Sequence, residues 1–69
     1  MAEHVHELVE LVGTSGGSVS EAIQAAIARA SATVRSIRWF EVAQVRGEVS
    51  GGKVAHHQVT LKLGFTFEE

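Results

Sequence analysis

Apolar and polar residues alternate along three stretches of this chain and recur at helical spacing along a fourth. Over 4–12, Val5, Val9 and Leu11 fall on one face and His4, His6 and Glu10 on the other, the period-two pattern of a strand. Leu8 and Val12 make the second face partly apolar too. Gly13-Thr14-Ser15-Gly16-Gly17 reads as a loop by composition. Ser18 with Glu21 three residues later is a capping box, each side chain placed to satisfy an orphan backbone N–H of the other. Ile23, Ala26, Ile27, Ala30 and Val34 then form an apolar stripe at helical spacing. Ala22, Ala25, Ala28 and Ala32 add helix propensity and permit close packing. Arg29 and Arg35 stand toward the C-terminus, where the helix dipole favours cations, and the helix is predicted to end near Ser36. The stretch 37–49 is rich in β-branched and aromatic residues and reads as a second strand. Ser50-Gly51-Gly52 is a turn signal, so a hairpin follows. In the third strand, 53–67, Val59, Leu61, Leu63, Phe65 and Phe67 share one face, and Gln58, Thr60, Lys62 and Thr66 the other.

The order β-α-β-β implies an α+β fold in one domain, 1–69. A helix between strands one and two lets them run parallel with a gap. The third strand fills the gap antiparallel to both, which gives the spatial order 1-3-2 with the helix on one face. In strand two Phe40 and Val42 suit the helix side, so Trp39 and Glu41 point away from it. The chain's only tryptophan then lies outside its own subunit's core.

Composition sharpens this picture. A chain of 69 residues buries only roughly 60% of the surface its unfolded form exposes. Domains of this size lean on disulfides, a metal or other subunits. The absence of cysteine excludes disulfides and thiolate metal sites and fits a reducing, cytoplasmic setting. No apolar run reaches membrane-span length, and the acidic start with Glu3, Glu7 and Glu10 does not resemble a signal peptide. A net charge of −2 offers no broad basic surface for nucleic acid. Self-assembly into a symmetric oligomer is the remaining source of stability.

Candidate chemistry is sparse. Gly13-Thr14-Ser15-Gly16-Gly17 matches the G-x-S-x-G pattern of a nucleophile elbow, yet the chain holds no aspartate and is too short for that scaffold. A hydrolase using Ser15 is therefore the weakest reading, and a glycine-rich strand-to-helix turn the better one. His4 and His6 share a strand face, but no cysteine or aspartate completes a metal set. Adjacent His56 and His57 point to opposite faces. Arg29, Arg35 and Arg38 form a basic run suited to a solvated face or inter-subunit ion pairs, with nucleotide or CoA phosphates as the sharper alternative. Trp39 is the most informative residue, fitted either to a subunit interface or to a planar aromatic ligand, on which an indole stacks well. Gln58, on the polar face of the adjacent strand, carries both donors and an acceptor. A stacking platform with a bidentate amide suits a planar heterocycle with an amide-like edge.

With these residues in view, the whole chain resembles a bacterial-type dodecin. The resemblance is carried by Val9-Glu10-Leu11-Val12-Gly13-Thr14-Ser15, Ala26-Ile27-Ala28-Arg29-Ala30, Trp39-Phe40-Glu41-Val42, Val45-Arg46-Gly47, and Ala55-His56-His57-Gln58-Val59 leading to Gly64-Phe65. It implies a hollow homo-dodecamer of β-α-β-β subunits that binds flavin, usually FMN, with riboflavin or related flavins as further ligands. It implies no catalytic turnover, and a role in flavin storage, buffering and protection from photochemistry. By this resemblance Trp39 stacks on the isoalloxazine, Gln58 hydrogen-bonds its polar edge, and Arg46 lies near the ribityl phosphate. Some bacterial members also bind CoA. Thr66 stands where an arginine is usual after Gly-Phe, which removes a phosphate partner and argues against CoA here. Gly16, Arg38 and His57 replace a common proline, aspartate and aromatic residue. The second reading is an assembly scaffold of the same shape with weak or lost flavin affinity.

Overall fold

Residues 5–66 are described in the computed structural model, in the order β1 (His6–Ser15), α1 (Val19–Ser31), β2 (Ile37–Ser50) and β3 (Lys53–Thr66). The strands form one sheet in the order β1-β3-β2, with β3 antiparallel to both neighbours. The expected α+β topology is therefore the observed one. His4 and Phe67, assigned to strand faces above, lie outside the described residues.

Strand β1 runs three residues beyond its expected end. Gly13, Thr14 and Ser15 pair with Val59, Gln58 and His57, so the loop begins only at Gly16. Gly13 is not a turn residue. It faces the helix, and a Cβ there would collide with the Ala22 backbone and the Ala26 side chain. The missing side chain is what allows α1 to lie close on the sheet. Ala22, read above as a propensity residue, is consequently at the centre of the packing, fully buried with Ala26 and Ala30 against Val59, Leu61 and Leu63. Val19, Ile23, Ile27, Leu11 and Ile37 flank this cluster.

The helix starts as its cap dictates. The Ser18 hydroxyl accepts a hydrogen bond from the Glu21 backbone N–H at 3.0 Å. The Glu21 carboxylate, however, turns to Ser15, accepting from its hydroxyl at 3.0 Å, so the capping box is closed from one side only. The helix stops at Ser31 rather than near Ser36, which leaves Val34 and Arg35 outside it. The Ala30 carbonyl accepts from the backbone N–H groups of both Thr33 (3.0 Å) and Val34 (2.8 Å), tightening the last turn until it closes. Ser36, at φ 61, then redirects the chain into β2.

At the hairpin, Gly51 and Gly52 both have positive φ (59 and 76). A two-residue loop of this kind matches the twist of the flanking strands and requires positive φ at both places, which glycine adopts without steric cost. Three irregularities interrupt the β2–β3 pairing, between Ile37 and Trp39, between Val42 and Gln44, and between Glu48 and Val49. The second has the largest consequence. Counting strictly by twos from Trp39 would send Arg46 to the helix side. The extra residue Ala43 reverses the phase, so Gln44, Arg46 and Glu48 share the open face with Trp39 and Glu41, opposite Thr60, Gln58 and His56.

The subunit measures 56 × 20 × 13 Å, because the β2–β3 hairpin is far longer than the helix that covers the sheet. Helix α1 packs on β1 and β3. Every residue of β2 after Ile37 is exposed. Two apolar surfaces are left without cover: Leu8, Val12 and Trp39 on the open face, and Phe40, Val42 and Val45 on the helix side of β2. Patches of this kind on so small a chain mark sites of association.

Candidate functional site

The open face of the sheet holds Trp39, Arg46 and Gln58. Trp39 stands opposite Gly64 at one end. Its indole lies on the glycine, since a Cβ added at Gly64 would fall among the indole ring atoms. Gly64 is buried beneath it, while the tryptophan remains 42% exposed. One face of the ring is thus fixed by the sheet and the other is open. Gly64 is the functional position that pattern reading passed over. A glycine inside an otherwise regular strand alternation is the signal that marks it, for it indicates a close approach.

Gly64→Ala is expected to lift the indole from the sheet, at a cost of about 1–3 kcal/mol for overpacking. Tryptophan emission should move to longer wavelength and the thermal midpoint should fall. An unchanged spectrum would mean that the ring does not depend on the glycine.

Gln58 lies between Thr14 of β1 and Arg46 of β2, its partners across the two ladders. These three residues line a depression of about 350 Å³ together with Gly47, Glu48 and His56. His56 Nδ1 and Glu48 Oε1 are 2.9 Å apart. The structure therefore brings Arg46 and Gln58 together and keeps Trp39 apart from both. Six residues of β3 separate Gly64 from Gln58 in register, about 20 Å at the rise of a strand. That exceeds the length of a fused three-ring system, which favours a tryptophan and a glutamine from different subunits around a single planar ligand.

The other sequence candidates disperse. Ser15 donates its hydroxyl to Glu21 and accepts from the Gly17 backbone N–H at 2.9 Å, which makes it a staple of the strand-to-helix turn. His57 pairs with Ser15 and Gly47, on the opposite sheet face from His56. Arg29 sits in the last turn of α1, Arg35 in the connection after it, and Arg38 in the first β2 irregularity, so the basic run is split over three settings. Thr66 pairs with His6 beyond the tryptophan end of the face. Among the described residues no three His, Asp or Glu side chains gather as metal ligands. No helix there is long and apolar enough to cross a membrane.

Comparison with known proteins bears on this arrangement. Residues 5–68 match the Dodecin family profile. A curated dodecin of Thermus thermophilus is 49% identical over 65 residues, covering 94% of each chain. The structure of dodecin from Streptomyces coelicolor superposes with a TM-score of 0.92 at 52% identity, covering 100% of this chain and 99% of that one. Dodecin from Streptomyces davaonensis gives 0.91 at 44% identity, covering 99% and 100%.

Proposed function

This chain belongs to the dodecin family, and from that premise we propose that it binds, stores and buffers a flavin, FMN or riboflavin, between the subunits of a hollow cytoplasmic dodecamer. The observation that carries the reading is the indole of Trp39, laid flat over Gly64 with its outer face open. A flat, electron-rich ring presented in this way is a platform for a planar aromatic ligand. The distance between Trp39 and Gln58 supports a shared site. The tryptophan of one subunit stacks on the isoalloxazine while the glutamine of another hydrogen-bonds its pyrimidine-like edge. Arg46, across the ladder from Gln58, offers a guanidinium to the ribityl phosphate. The uncovered apolar residues of both sheet faces supply the surface for assembly.

Nothing in this scheme calls for a general acid or base. The stacked indole would donate an electron to the photoexcited flavin and take it back, returning both to the ground state, which shortens the reactive state and quenches fluorescence. Thr66, at the far end of the face from Arg46, gives no cationic partner for CoA.

Titration of FMN with the purified protein, followed by size exclusion of the same sample, tests the proposal. Saturable quenching that travels with a species near twelve subunits is expected. A large assembly without quenching would favour the scaffold reading, and a monomer would end both.

A further inference from the structure

The depression around Gln58 contains a charge arrangement that the flavin reading leaves unused. Arg46 and Glu48 are successive residues on the same face of β2, about 7 Å apart along the strand. Their charges offset one another, so Arg46 does not act on an incoming anion alone. His56 faces Glu48 from β3 at 2.9 Å. A proton on the His56 ring would change the local charge of the three side chains from zero to one positive. The remaining lining is neutral: Thr14 from β1, Gly47 from β2 and Gln58 from β3. Helix α1 and its Glu21 lie on the other side of the sheet.

We propose that the Glu48–His56 pair sets how strongly the site prefers a phosphorylated flavin to an unphosphorylated one, and makes that preference depend on pH. The inference rests on the flavin reading above. With His56 neutral, the Glu48 charge two residues along the strand offsets that of Arg46 and repels the phosphate. With His56 protonated, the imidazolium cancels the carboxylate beside it and the Arg46 charge acts on the phosphate unopposed. Riboflavin has no phosphate and does not register the change. An excess positive charge at this range, in a partly solvated site, changes affinity for a doubly charged phosphate by about threefold or more.

The test is the ratio of riboflavin to FMN dissociation constants, measured by quenching between about pH 5.5 and 8 on the assembled protein. Wild type, His56→Gln and Glu48→Gln are compared, with size exclusion at each pH. The phosphate of free FMN titrates in the same range and does so identically in all three mixtures, so that contribution is common to the three profiles. Relative to His56→Gln, wild type should prefer FMN about threefold more at the acid end and equally at the alkaline end. Glu48→Gln should raise the preference for FMN about threefold at the alkaline end. As binding and protonation are reciprocally coupled, adding FMN should move the His56 NMR signals toward those of the protonated ring, and adding riboflavin should not. Parallel wild-type and His56→Gln profiles, or identical His56 shifts with both ligands, would overturn the inference and leave the flavin site standing. Quenching by neither flavin would overturn both.

Discussion

Replacing Trp39 with alanine is expected to raise the flavin dissociation constant about 10- to 100-fold while the assembly stays intact. The magnitude follows from aromatic stacking on planar bases, worth about 1–3 kcal/mol for each ring lost. The assembly should survive because Trp39 is no part of the buried cluster, and Leu8, Val12, Phe40, Val42 and Val45 remain as uncovered apolar surface. Flavin quenching and size exclusion on one sample read both halves of the result. The spacing along β3 adds a sharper outcome. If tryptophan and glutamine reach a flavin from different subunits, assemblies refolded from a mixture of Trp39→Ala and Gln58→Ala chains should recover tight sites that neither variant has alone. A mixture as weak as its two components would show that one chain supplies both residues, against the strand geometry.

Truncation of Leu61 to alanine should be the most damaging change to the subunit itself, costing about 2–5 kcal/mol. Leu61, Leu63 and Val59 are the large side chains among the fully buried residues, and they face three alanines. Alanine side chains have no atoms to move into the space a leucine leaves, and the strand cannot shift without breaking two ladders. The thermal midpoint should fall well below that of wild type, and dissociation should occur at higher protein concentration. An unchanged midpoint would mean that inter-subunit contacts, not the helix-on-sheet cluster, hold the fold.

Much of this was legible in the alternation of residues. The clean period of β3 from Val59 to Phe65 fixed which side chains meet the helix, and the same count placed Gln58 on the open face. The alternation in strand two turns Trp39 away from the helix, and its pairing with Gly64 agrees. Arg46 was a different matter. It entered through family resemblance alone, and the irregularity at Ala43 that turns it toward Gln58 leaves no mark in hydrophobic periodicity, since an inserted alanine suits either face. The end of β1 was misjudged because glycine, threonine and serine read as a loop. Gly13 is small in order to admit Ala22, a demand made by a helix nine residues further on and invisible to local composition. The helix end was misjudged because Val34 continues the stripe. The observed chain tightens to i→i−3 bonds at Ala32 and Thr33 and turns out of helical geometry at Ser36, φ 61.

The placement of β3 in the middle of the sheet has a consequence for synthesis on the ribosome. Strand β1 is made first, yet its partner is the last strand made, with Leu8 waiting for Gly64. At about 5–20 residues per second, roughly 50 intervening residues take several seconds to appear. The β2–β3 hairpin, closed by two glycines, forms within about 1–10 μs of release. The nascent chain therefore carries an unpaired apolar strand far longer than any local folding step requires. Glu7 and Glu10, set among Val5, Leu8, Val9 and Leu11, are charges of the kind that oppose pairing of such a strand with another copy of itself.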